Sequence, residues 1–453
     1  MFSTINPTTG EPLRTWETLT ARDVEAVLAR ASSAFASWRR VPIVDRARLV
    51  GAAAAELDRR TGALAELMTR EMGKPVAAAR SEVAKCALGC RFYAEHGAAF
   101  LADEVVTTGA SDTRVVYEPI GPILAIMPWN FPFWQVFRFA APALVAGNVA
   151  LLKHAPNVLG CADAIEQVFA SAGFPPGVFQ SLAIDVDVVP ALLEDPRVAA
   201  VTLTGSDRAG RDVASRAGHA LKKSVLELGG SDPFIVMPSA DLDTAIRTAV
   251  QARTVNNGQS CIAAKRFIVA EPIAETFTRG FVAGMEALRV GDPMDAATNI
   301  GPLARADLRE LLHSQVTASV AAGARLLTGG HPIDRTGFFY PPTVLAGIPK
   351  DSPAYRDELF GPVASLFVVA DLDAAIALAN DSRYGLGASV WTTDPHEQQR
   401  FIHELEVGQV FVNAMVASDP RVPFGGVKSS GYGRELGIHG IREFVNAKTV
   451  WVA

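Results

Sequence analysis

Cysteine is scarce and scattered in this chain: four thiols in 453 residues, at positions 86, 90, 161 and 261. So few, so spaced, do not make a disulfide framework. No His or second Cys stands near Cys261 at zinc-ligand spacing, so no metal site is expected. Cys86 and Cys90 lie four apart in the helical-looking ARSEVAKCALGCRFYAEH, on one helix face, and read as packing, as does Cys161. Long basic runs are also missing. Charged residues make up 20% and the net charge is −6, which argues against a nucleic-acid surface. The most apolar stretch, FRFAAPALVAGNVALLK, is broken by Arg138, Pro142 and Asn148. It falls short of the roughly 20 apolar residues that a membrane helix needs. The opening MFSTINPTTGEPLRTW has no charged segment followed by an apolar run, so no secretory signal is expected. Free thiols fit a reducing, cytoplasmic compartment.

What is present is apolar surface in quantity. Hydrophobic residues make up 49%, enough for a large core. At about 150 residues per domain the length suggests about three units. Residues 20–105 read as helices by their apolar periodicity, with a break at Gly73-Lys74-Pro75. Short apolar runs then alternate with helical segments: VALLKH, ADAIEQVFASAG, VAAVTLTGS, AGRDVASRAG, KSVLELGG, DPFIVM. That alternation predicts an α/β fold with a parallel, helix-covered sheet. A second α/β run starts at DLDTAIRTAVQAR, and the closing REFVNAKTVWVA reads as a strand whose edge needs a partner.

Four short stretches carry chemistry. VAAVTLTGSDRAG is a strand feeding Thr204-Gly205-Ser206 and then a helix, a turn suited to a phosphate at a helix N-terminus. It is not the G-x-G-x-x-G fingerprint, and by itself it is equally a plain turn. LELGGSDPFIV sets Glu227 at a strand end beside two glycines, either an exposed cap or a base facing a cleft. PWNFPFWQ holds Asn130 in a stiff loop, where its amide is either an oxyanion donor or a turn cap. NNGQSCIAAKR places Cys261 between small residues, as a packed thiol or a nucleophile.

These motifs, together with ELFGPV and PFGGVKSSGYGRE, resemble the aldehyde dehydrogenase superfamily in order and separation over essentially the whole chain. LLKHAPN, GGSDPFIV and NNGQSCIAAKRFIV look most like the shorter bacterial NAD(P)-dependent succinate-semialdehyde dehydrogenases. The resemblance implies a Rossmann-type cofactor domain (1–106 and 121–228), an α/β catalytic domain (229–424) and a small β oligomerisation element (107–120 and 425–453). It implies that Cys261 attacks the aldehyde to give a thiohemiacetal, and that hydride transfer leaves a thioester. The Asn130 amide and the Cys261 backbone N–H would hold the oxyanion, with Glu227 as general base. Gly258, Gln259 and Ser260 would keep the approach to the sulfur small and flexible. A cysteine hydrolase would need a His partner that no motif suggests. A CoA-acylating enzyme would lack Glu227.

The same resemblance assigns the cofactor cleft. Gly205 and Ser206 match the pyrophosphate turn, and Lys153 the adenosine-ribose lysine. Trp129 lies at the nicotinamide end. Glu358 matches the acid on the nicotinamide ribose, with Phe360 packed nearby. Leu228 offers its backbone to the nicotinamide amide, and Gly425 and Gly426 shape the substrate mouth. Asn157 replaces the ribose-binding glutamate of many NAD-specific members, and His154 stands where proline is usual. A neutral residue at 157, with Lys153 and His154 offering charge or donors, predicts NADP as preferred cofactor and NAD as second choice. For the substrate carboxylate, Arg138 matches a gripping arginine, with Ser418 and Arg421 as further donors. The second arginine of some relatives is absent, Val255 standing there. Alternatively, Arg138 is a structural ion pair and the enzyme oxidises aliphatic aldehydes broadly. Relatives form homodimers or homotetramers, so the same is expected here.

Overall fold

A computed structural model describes residues 1–453. Two parallel sheets organise it. The first has six strands in the spatial order 431–432, 223–227, 200–204, 122–127, 149–154 and 179–181, with only 431–432 antiparallel. VALLKH, VTLT and KSVLE are thus strands, as their runs of apolar, β-branched residues predict. In chain order the five parallel strands run 3-2-1-4-5. The order reverses between Pro122–Met127 and Ala200–Thr204, and in such sheets the crevice beyond the strand ends at that point is where ligands bind.

Long helices cover this sheet: Ile43–Met72, Val76–Phe100 and Trp134–Ala146. Their shared core holds Cys86, Cys90 and Cys161. Two buried carboxylates set the helices' positions. Glu82 accepts from the N–H groups of Phe133 and Trp134, both at 2.9 Å, and pairs with Lys74. Glu71 accepts from Gly160 and Cys161, both at 3.0 Å. Each occupies a helix N-terminus, where free N–H groups favour negative charge. No helix is long and apolar enough to cross a membrane.

The second sheet has seven strands, in the order 325–328, 343–346, 363–369, 266–270, 233–236, 387–391 and 409–412, and is parallel except for 325–328. A third, antiparallel sheet joins 104–105, 112–119 and the terminal strand Val445–Val452. Only that strand of the C-terminal segment lies here. Residues 425–444, expected to group with it, do not join it: Gly431 and Tyr432 pair with Glu227 and Leu226 of the first sheet, and Val427 and Lys428 with Gly385 and Tyr384.

Candidate active site

Cys261 sits in a loop between helix Leu242–Thr254 and strand Arg266–Ala270. Three consecutive residues before it, Asn256, Asn257 and Gly258, have φ of 57°, 58° and 75°. Asparagine tolerates the left-handed region and glycine occupies it freely, which accounts for the Asn-Asn-Gly sequence. The asparagine side chains then anchor the turn. Asn256 Nδ2 donates to the carbonyls of Asn130 (2.7 Å) and Gln259 (3.0 Å). Asn257 Nδ2 donates to Gly73 and Pro302, and its Oδ1 accepts from Gly301. Lys265 Nζ, a group the sequence reading missed, holds the carbonyls of Ser260 (2.7 Å) and Cys261 (2.6 Å). A Cβ on Gly258 would lie 2.3 Å from the Gly361 carbonyl carbon. The expected flexibility of residues 258–260 is therefore corrected: the loop is buried and pinned from every side.

Two cavities meet at the sulfur. One, of about 360 Å³, opens at the reversal point of the first sheet. Trp129 and Asn130 reach it from the loop after Pro122–Met127, and Gly205 and Ser206 from the turn after Ala200–Thr204. Leu228 enters from the next strand end, while Glu358 and Phe360 face them from the loop before strand 363–369 of the second sheet. Trp129 and Phe360 meet edge-on, with centroids 5.7 Å apart. The other cavity, of about 380 Å³, runs between helices Val76–Phe100 and Trp134–Ala146 and the segment 415–418. Cys261 is the only residue that lines both.

Burial raises the proton affinity of both titratable groups that the reaction needs. Burial pushes the Cys261 thiol up to about 12, against the pull of Lys265 and Arg138. Burial likewise raises Glu227 well above the usual carboxylate range; Arg138 opposes this and Glu435 adds to it. Glu227 is 2% exposed and both its oxygens lack a hydrogen-bond partner. Its carboxyl lies behind the cavities, against Gly425, where a Cβ would come within 2.7 Å of Oε1. Asn130 Nδ2 spends one N–H on the Gln259 carbonyl at 3.1 Å, leaving its second free. Glu358 accepts from the Gly230 N–H at 3.1 Å and pairs with Lys265, also at 3.1 Å.

Beyond the end of strand Val149–His154, the donors divide. Lys153 makes no ion pair, and burial lowers its pKa, with Asp185 opposing. Both polar atoms of the Asn157 side chain are buried without partners. His154 is different and corrects the expectation that it serves the cofactor. Like Lys153 and Asn157 it lines neither cavity, but its ring is fully enclosed and both nitrogens are engaged. Its Nδ1 accepts from the Ala155 N–H (2.9 Å), so the proton sits on Nε2, which donates to the Pro132 carbonyl at 2.8 Å. Burial pushes its pKa down to about 4, so it is neutral near pH 7.

The three residues expected at the substrate carboxylate part company as well. Arg138 lines the cavity but is ion-paired with Glu435, donates to Thr204 Oγ1 at 3.4 Å and stacks on Phe424. Ser418 lines the cavity. Arg421 does not: it is exposed and paired with Asp419 two residues away, because a local partner competes with the tunnel. Lys85, not among the residues expected from sequence, stands on the cavity wall, and its Nζ donates to Ser418 Oγ at 2.7 Å. Its one sequence signal is the helical spacing Ala78, Ser81, Glu82, Lys85, which puts all four on the cavity face.

Comparison with known proteins is consistent in kind. The sequence model of the Aldehyde dehydrogenase family matches residues 1–450. Succinate-semialdehyde dehydrogenase (NADP(+)) 1 of Mycobacterium tuberculosis is 55% identical over 455 residues, covering 100% of both chains. The succinate-semialdehyde dehydrogenase (NADP(+)) of Mycobacterium leprae is 53% identical, again over 100% of both. Among solved structures, the succinic semialdehyde dehydrogenase from Streptococcus pyogenes in complex with NADP+ superposes with a TM-score of 0.98 at 37% identity, covering 100% of each chain.

Proposed function

The chain belongs to the aldehyde dehydrogenase family, and from that premise we propose that it oxidises succinate semialdehyde to succinate, with NADP+ as preferred cofactor and NAD+ as second choice. The observation that carries the reading is the position of Cys261 as the one side chain shared by two cavities. One suits an extended dinucleotide and the other a short aldehyde. The helix N-terminus behind Ser206 opens on the nucleotide cavity, and outside its lining, at the end of the neighbouring strand, two donors are unspent: the Asn157 amide without partners and the Lys153 ammonium without an ion pair. When bound, the dinucleotide supplies the hydride acceptor.

The chain's own residues do the rest. Glu227, in its carboxylate form, takes the proton from the Cys261 thiol; burial raises its affinity for that proton. The sulfur adds to the aldehyde carbon, and the oxyanion is held by the free N–H of Asn130 Nδ2 and the Cys261 backbone N–H. After oxidation to the thioester, Glu227 activates the water that cleaves the C–S bond, releasing the acid and restoring the thiol. Water, aldehyde and oxidised cofactor go in; acid, reduced cofactor and one proton come out. Both Glu227 oxygens lack partners, so no hydrogen bond within the protein has to break when the side chain turns from Gly425 toward the sulfur.

We place the enzyme in the cytoplasm, in keeping with four free cysteines. We also assign it a homodimer or dimer of dimers, joined through the sheet of residues 104–119 and 445–452. Val445–Val452 is an edge strand, and Trp451 on it is 60% exposed. The test is a rate assay following reduced cofactor, with succinate semialdehyde and butanal each offered with NADP+ and NAD+. Faster turnover of succinate semialdehyde with NADP+ supports the reading. Equal use of the two aldehydes indicates a broad aldehyde dehydrogenase instead, the reading favoured by the committed Arg138–Glu435 pair.

A further inference from the structure

The substrate cavity is lined by three cations, and two of them already face a carboxylate of the protein. Lys74 is buried against Glu82, and Arg138 against Glu435. Lys85 has no carboxylate partner at ion-pair distance. It stands over the Trp134 ring, 4.6 Å from the centroid, and bonds Ser418 Oγ, so its ammonium is held in place without being neutralised.

The hydroxyl beside it is equally poised. Ser418 Oγ accepts from Lys85 Nζ at 2.7 Å and from Trp134 Nε1 at 3.0 Å. Indole N–H and ammonium are donors only, so both lone pairs of the hydroxyl are taken and its own proton must point elsewhere. No protein acceptor receives it. The wall therefore presents a fixed positive charge with two unused N–H groups, next to an unused O–H. An anionic carboxylate needs that combination when it leaves water.

We propose that Lys85, acting with the Ser418 hydroxyl, is a further group that grips the free carboxylate of the substrate. This rests on the reading of the protein as a semialdehyde dehydrogenase. It adds a specificity determinant on helix Val76–Phe100, across the cavity from the helix that carries Arg138.

A pH signature accompanies the geometry. Burial pushes Lys85 down to about 8; Arg138 adds to the shift, while Cys86, Glu82 and Asp419 oppose it. The ammonium is present below that pH and lost above it, so affinity for a carboxylated aldehyde falls as pH rises through 8.

The experiment compares kcat and KM for succinate semialdehyde and butanal at saturating NADP+, in the full-length protein and in its Lys85→Met and Lys85→Arg variants. Thermal melts verify that each variant is folded. The wild type is read first: no preference for the carboxylated substrate refutes the proposed function itself, whatever Lys85 does. With a preference established, Lys85→Met is expected to lower the kcat/KM ratio of succinate semialdehyde to butanal by about 10- to 100-fold, mainly through KM, the range for a lost hydrogen bond to a charged group. Lys85→Arg restores most of the ratio, and the rise in KM above pH 8 disappears in Lys85→Met. A preference that survives in Lys85→Met, or equal losses on both aldehydes, overturns the assignment of Lys85 alone.

Discussion

Arg138 and Glu435 form an ion pair inside the protein, their side chains 2% and 4% exposed, linking helix Trp134–Ala146 to the segment that returns to the first sheet. Such a pair is costly to break from one side, because the survivor is a buried, unmatched charge. Arg138→Ala is therefore expected to lose about 3–5 kcal/mol of stability, read as a lowered melting temperature. Replacing both residues by Met should recover most of it. A melting temperature unchanged in Arg138→Ala would mean that the pair does not hold the segment.

Cys261→Ala should abolish aldehyde oxidation and leave NADP+ binding intact by calorimetry. Glu227→Gln should slow turnover by on the order of 10²–10⁴-fold, the range of general acid–base catalysis. Burial raises the Glu227 pKa, so its carboxylate is lost as pH falls through that raised value. Turnover should thus climb with pH in the wild type, and the Glu227→Gln variant should lack that limb. Near-normal activity in Cys261→Ala would remove the nucleophile assignment.

The cofactor choice is tested at Asn157, whose side chain has no protein partner to lose. Asn157→Glu sets a carboxylate where a 2′-phosphate is proposed to sit, and like charges placed together cost several kcal/mol. The expected result is a fall in kcat/KM for NADP+ of at least about 10-fold, with NAD+ held or improved. A variant that keeps the wild-type cofactor ratio would show that position 157 faces away from the ribose.

Assembly is tested by mass. Light scattering at micromolar concentration should give two or four chains. Trp451→Lys, which puts charge on the exposed face of the terminal strand, should shift the distribution toward monomer. A monomeric wild type would leave that strand without the pairing role.

Much of the fold was legible because it is encoded locally. Apolar runs of strand length alternating with helical periods mark Val149–His154, Ala200–Thr204 and Lys223–Glu227 as strands of a helix-covered sheet. The motif around Cys261 was legible only through its resemblance to a family; the left-handed turn that accounts for Asn256, Asn257 and Gly258 emerged from the structure. Glu227 and Gly205-Ser206 stand where strands end, and strand ends can be read from pattern alone.

What no stretch of sequence contained is the choice of partner. Lys85 and Ser418 are 333 residues apart, and Arg138 meets Glu435 only because the chain returns to the first sheet near its end. His154 looked like a donor beside Lys153. Alternation along the strand turned its ring inward, onto the Pro132 carbonyl, where burial strips its charge. Arg421 looked like a third donor, and Asp419 claimed it at the surface. Residue type and local spacing determined which groups this protein has available for chemistry. Packing decided which of them were neutralised or left free, because a charge's worth depends on what lies within a few ångströms of it, and those neighbours arrive from distant parts of the chain.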